Sequence, residues 1–150
     1  MPLSDTDLAA RLNKHQPPTS ALLGMTVLGV DQEAGTVRLQ FTPRPEFCNP
    51  MGNAQGGFVV AMLDDAAALA AIVKAGRRIA VPTIELKTSF FAAARLGTPL
   101  IAEGRCIKLG KRVAYMEADL RDAAGTLLAR MTTSALPVPM EAPANLVETT

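Results

Sequence analysis

The sequence predicts an α+β domain in which one antiparallel sheet curls around a single long helix. Three observations carry that prediction. Residues 57–75 form a helical run that is apolar nearly all the way round, through Phe58, Val59, Val60, Met62, Leu63, Leu69, Ile72 and Val73, and such a helix is normally a buried one. The stretches before and after it alternate apolar and polar residues, the period of a half-buried strand. Five alanines in the run, Ala66, Ala67, Ala68, Ala70 and Ala71, let a sheet approach it closely. At 150 residues the chain fits one domain and can bury a real core.

Taken in order, Ser4 is a candidate N-cap, and Asp5 and Asp7 in the first turn favour the helix dipole. A short helix over 5–14 follows and ends at "HQPPTS". In "MTVLGVDQEAGTVRLQFTP", Val37, Leu39 and Phe41 alternate with Arg38, Gln40 and Thr42, and "DQEAG" reads as a hairpin turn. "TPRPEFCNPMGNAQGG" is a loop rich in Pro, Gly and Asn. The long helix spans roughly 28 Å at 1.5 Å per residue and closes at Gly76 with Lys74 in its last turn. Four alternating stretches follow, "PTIELKTSFFA", "PLIAEGRCIKL", "RVAYMEADLRD" and "TLLARMTTSAL", with turns at "LGK" and "DAAG". From residue 81 on they read as an antiparallel meander. Residues 1–20 are an N-terminal helical segment, 21–138 the main domain, and 139–150 a flexible tail.

Composition excludes several classes. The formal net charge of +1 argues against nucleic acid as the main partner, for which a basic stripe is expected. Trp is absent and aromatics are 4%, too few for a base-stacking platform. Cys48 and Cys106 form neither a metal spacing nor a CxxC pair. A nucleophilic Cys48 would want a His partner, and His15 is far away in sequence. No basic n-region with an apolar h-region opens the chain, and Asp64 and Asp65 interrupt the best apolar run, so a cytoplasmic protein without membrane insertion is expected.

Those two acids pose the functional question, because carboxylates in an apolar helix are costly unless paired or used. Asp65 lies ~100° from Asp64 around the helix, so the two cannot share a role. Asp64 is the candidate general base or nucleophile, with a pKa raised by partial burial, and Asp65 a structural or subunit contact. Ahead of them, "QGG" opens the helix. Its free N–H groups and positive dipole end suit a developing oxyanion, and Gly56, without a Cβ, admits close approach.

The sequence resembles the hotdog-fold acyl-CoA thioesterases of the phenylacetate-degradation type, over about residues 21–138. The family motif of Asn, Gly, His-Gly-Gly and an Asp nine residues after the His is matched by Asn49, Gly52, Gln55-Gly56-Gly57 and Asp64. "TIELKTSFFAAARLG" and "LGKRVAYMEADLRDAAGTLLAR" resemble its later strands and its Gly-Lys/Arg hairpin. Two positions depart: Gln55 replaces the usual His, and Ala stands for a common Pro in the "FFAAARLG" turn. An amide cannot transfer a proton near neutrality, so Gln55 would donate to the carbonyl or hold the loop.

The resemblance implies hydrolysis of an acyl- or aryl-CoA thioester with no cofactor or metal beyond the CoA of the substrate. It implies that the Gly56 N–H holds the carbonyl oxygen with help from Asn49, and that Thr83 orients the water. Gly57, Phe58, Met62 and Phe47 are candidates for the acyl end. Arg77, Arg78, Arg95, Lys111 and Arg112 are candidates for the CoA phosphates. One small sheet leaves two open edges, so a homodimer is expected, pairing again to a homotetramer as family members do, with Asn49 and Gly56 of one subunit meeting Asp64 and Thr83 of the other. Two alternatives stand beside hydrolysis: a non-catalytic acyl-CoA binding or sensing module, and a hotdog dehydratase or hydratase, which would ordinarily use a catalytic His.

Overall fold

A computed structural model describes residues 2–141. Helix α1 (Asp5–Lys14) is capped by Ser4, whose Oγ accepts from the Asp7 N–H at 3.1 Å. A short helix α2 (Pro18–Leu22) leads into the hairpin of β1 (Thr26–Asp31) and β2 (Thr36–Phe41). After a 3₁₀ turn (Pro45–Phe47) comes the long helix α3 (Gly56–Ala75), one residue earlier than its predicted start and closed by Gly76 in the left-handed conformation. The strands β3 (Ile79–Ala80), β4 (Thr83–Phe90), β5 (Leu100–Leu109), β6 (Ala114–Arg121), β7 (Leu127–Ala135) and β8 (Val138–Pro139) complete the described chain.

Six strands form one antiparallel sheet in the order β1-β2-β5-β6-β7-β4. The predicted meander therefore holds for β5, β6 and β7 only. β4 does not pair with β5 but lies at the far edge against β7. Turn length explains the difference: residues 110–113 and 122–126 close tight hairpins, whereas residues 91–99 are long enough to cross the end of the sheet. The segment expected to be a flexible tail begins with Pro139, which pairs with Ile79 in a separate two-stranded ladder. Its residues 142–150 lie outside the described residues.

The sheet packs on one side of α3. Val59, Met62, Leu63, Ala66, Ala67, Ala70, Ala71 and Val73 are buried on that side, against Leu39, Phe41, Leu100, Ala102, Met116, Leu120 and Met131. The approach is closest at Gly104 of β5, where an added Cβ would sit 2.0 Å from the Ala66 carbonyl oxygen. The opposite face, along Gly57, Ala61, Asp64, Ala68 and Ile72, stays half-open or exposed. An all-round apolar helix thus has a cover on one side only. By length and hydropathy α3 could cross a bilayer, but here it is the core helix of the sheet.

Candidate active site

The loop before α3 is shaped by its small polar residues. Asn49 Oδ1 accepts from the Met51 N–H at 3.0 Å and the Asn53 N–H at 3.2 Å. The Asn49 carbonyl accepts from Gly52, which takes φ +79, a conformation natural to glycine. Phe47 stacks on Phe58 with ring centroids 4.4 Å apart and fixes the loop to the first turn of the helix. The Ala54 N–H donates to the Ala94 carbonyl, and the Phe91 and Ala92 N–H groups to that of Leu128, so the segment after β4 is drawn over the head of α3.

A pocket of about 280 Å³ opens between these parts, lined by Asn49, Asn53, Gly56, Val59, Phe90, Phe91, Leu128 and the alanines of residues 92–94. At its base α3 begins. The Phe58 and Val59 N–H groups are satisfied by the Gln55 carbonyl, whereas those of Gly56 and Gly57 have no acceptor among the described residues. Two free donors at a helix N-terminus make an anion site. Asn49 spends its side-chain oxygen on the loop and keeps its Nδ2 donors without a partner among the described residues. The missing Cβ of Gly56 matters here: it would stand 3.4 Å from the Phe90 ring and narrow the approach.

Gln55 is exposed, and its side chain makes no capping hydrogen bond. Its role in holding the loop is played by its backbone, whose N–H donates to the Phe47 carbonyl at 2.7 Å.

Asp64 lies eight residues beyond Gly56, about 12 Å along the helix axis, and does not line this pocket. It sits on the half-open face, and burial raises its pKa. Asp65 points elsewhere. Its Oδ2 is buried with no hydrogen-bond partner among the described residues. Burial pushes it up to about 6, the Asp64 charge adds to the shift, and the Ser20 hydroxyl opposes it. Thr83 is exposed at the start of β4.

The other candidates divide. Arg95 borders a recess of about 410 Å³ that shares Ala92, Ala93 and Leu128 with the pocket. Arg77 and Arg78 lie past the far end of α3, about 30 Å from Gly56 at the rise of a 20-residue helix. Lys111 and Arg112 occupy the β5–β6 turn, at the opposite end of the sheet from the segment over the pocket. One chain therefore brings only Arg95 of the five to the pocket. Met62 is fully buried in the core, and Phe58 is held against Phe47; neither lines the pocket, and Phe47 is buried too. The apolar lining comes instead from Phe90, Phe91 and Leu128, which sequence reasoning missed. The signal was present in "SFFAAARLG", two aromatics at the end of an edge strand.

Comparison with known proteins bears on the fold and the family. The family model of the thioesterase superfamily matches residues 51–129. A phenylacetic acid degradation-related protein from Ralstonia eutropha JMP134 shares 28% identity at a TM-score of 0.76, over 85% of this chain and 97% of that one. The E. coli PaaI protein of the phenylacetic acid degradation operon has 16% identity and a TM-score of 0.77, over 87% and 91%. A Streptococcus mutans UA159 protein solved with acetyl-CoA has 19% identity and a TM-score of 0.67, over 75% and 89%. No curated protein matches. The six-stranded sheet on its long central helix is the hotdog fold, and the chain belongs to the thioesterase superfamily.

Proposed function

We propose that the protein hydrolyses an acyl- or aryl-CoA thioester to the free acid and CoA. The observation that carries this reading is the unsatisfied Gly56 N–H at the base of an apolar pocket, beside the free donors of Asn49, with the Gly57 N–H equally unsatisfied next to it in the first turn. A thioester carbonyl placed there gains hydrogen bonds as its oxygen takes on negative charge, which is usually the largest catalytic term. Phe90, Phe91 and Leu128 suit a small acyl or aryl group, and Arg95 in the adjoining recess suits a CoA phosphate.

The base comes from a second copy. β4 is an edge strand exposed on both faces, with Ile84 58% and Phe90 53% exposed, and the uncovered face of α3 carries Asp64. These features support a homodimer joined along β4 and α3, pairing again to a homotetramer. Asp64 and Thr83 of one copy then face Asn49 and Gly56 of the other. Asp64 takes the proton of an attacking water, the tetrahedral oxyanion rests on the Gly56 N–H, and collapse breaks the C–S bond to release the CoA thiolate. If Asp64 instead attacks the carbonyl, the C–S bond breaks, the CoA thiolate leaves and a mixed anhydride forms; in ¹⁸O-water a single turnover then leaves label in the Asp64 carboxylate where water attacks the Asp64 carboxyl carbon, and in the product acid where it attacks the acyl carbon.

The test is free-thiol release from a panel of acyl- and aryl-CoAs, run beside sedimentation. Thiol release by a dimer or tetramer supports the reading. CoA binding without release makes the protein a non-catalytic acyl-CoA module, and a stable, active monomer removes the two-copy site.

A further inference from the structure

A recess larger than the thioester pocket lies away from it. It is a groove of about 610 Å³ between α1 and the C-terminal end of α3, a size typical of sites for small organic ligands. Its apolar lining comes from Leu8 and Leu12 of α1 and Ile72 and Val73 of α3. Its polar lining is one-sided in charge. Arg11, Arg77 and Arg78 border it with His15, and no carboxylate among the described residues does.

The arginines are uncommitted. Arg38, Arg44, Arg105, Arg121 and Arg130 each pair with a carboxylate, whereas Arg11, Arg77 and Arg78 form no ion pair among the described residues. Of the two acids of α1, Asp5 is engaged by Gln32, whose Nε2 donates to Asp5 Oδ1 at 2.9 Å and to the Leu3 carbonyl at 3.0 Å, and Asp7 accepts from the Ser4 hydroxyl at 2.6 Å. Those bonds hold the N-terminal segment along the groove, with Leu3 in its lining. Like charges gathered at an apolar recess repel one another, and an anion with an apolar body relieves both the repulsion and the exposed apolar surface.

We propose that this groove binds a small amphiphilic carboxylate, a fatty or aryl acid, with its apolar part against Leu8, Leu12, Ile72 and Val73 and its carboxylate among the arginines. The planar guanidinium fork matches a carboxylate in two parallel hydrogen bonds. The inference stands on the groove alone and does not depend on the thioester reading.

Methyl NMR of the full chain, titrated with octanoate, tests it. Octanoate should shift the methyls of Leu8, Leu12, Ile72 and Val73. Octanol and inorganic phosphate, each lacking half of the required chemistry, should bind at least tenfold more weakly. Arg77→Gln with Arg78→Gln, both exposed positions that leave the core intact, should weaken octanoate tenfold or more with an unchanged far-UV spectrum. Shifts confined to the pocket at Gly56, equal binding of octanol or phosphate, or full affinity in the double variant would each overturn the proposal.

Discussion

Asp64 and Asp65 are neighbours in sequence but stand about 100° apart around α3, and burial raises the pKa of both while giving them different surroundings. Asp64 lies on the half-open face, and Asp65 is beside Ser20 with one oxygen buried and unpartnered. In the proposed reaction the first bears on catalysis, and the buried, unpartnered second bears on stability.

Asp64→Asn keeps shape and burial and removes basicity. Loss of a general base costs about 10²–10⁴ in rate, roughly 3–5 kcal/mol of barrier. Kinetics with the best acyl-CoA of the panel should show this loss in kcat with little change in KM. A variant with wild-type kcat would remove Asp64 from the reaction.

Asp65 contributes less stability at neutral pH than in mild acid. Its folded pKa, about 6, lies above its unfolded value, so the native state binds more protons between roughly pH 4 and 6. Stability falls as pH rises through that window and stays lower above it. The cost is about 3 kcal/mol at neutral pH. Asp65→Asn should raise the melting temperature at pH 7.5 and leave it nearly unchanged at pH 4. Denaturation at the two pH values checks the sign, and a variant destabilised at pH 7.5 would contradict it.

Asp119 acts in the opposite direction. On β6 it is 4% exposed and faces Arg130 of β7, which binds it through Nε at 2.6 Å and a terminal nitrogen at 2.9 Å, with Arg105 and Arg121 within 3.7 Å. The hydrogen bonds from Arg130, ahead of the other charges, hold its pKa below the usual carboxylate range. Its contribution is full at neutral pH and is lost as pH falls through that depressed value. Asp119→Ala should cost about 2 kcal/mol in urea unfolding at pH 7, and the difference from wild type should shrink at the acid end.

Gly104→Ala should be the most damaging small substitution in the sheet. The new methyl would meet the Ala66 carbonyl oxygen at 2.0 Å, backbone that cannot rotate away. Helix and strand must separate, at a cost of about 3 kcal/mol. A thermal midpoint within 2 °C of wild type would mean that α3 moves away from β5 freely.

The local elements were legible in the sequence because each carries a local signal. Ser4 capping, the Gly-closed hairpin turn, the 20-residue helix ended by Gly76, and the alternation of Val37, Leu39 and Phe41 depend on neighbours a few residues away. The Asn49-to-Gly57 loop was legible for the same reason, since its turns and its free donors follow from glycine, asparagine and the start of a helix.

What tertiary structure alone decided is non-local. The place of β4 beside β7 depends on where a nine-residue connection carries the chain, which alternation within β4 cannot reveal. The uncovered face of α3 depends on how many sides of a helix one six-stranded sheet can reach. The lining by Phe90, Phe91 and Leu128, and the ring of arginines around Asp119, join residues from different strands through the register of the sheet. By itself the sequence determined which segments are helix, strand and turn and where a helix presents free donors. Packing determined which of its polar and aromatic residues meet, because contact between distant residues is set by the summed fit of the whole core rather than by any one stretch of chain.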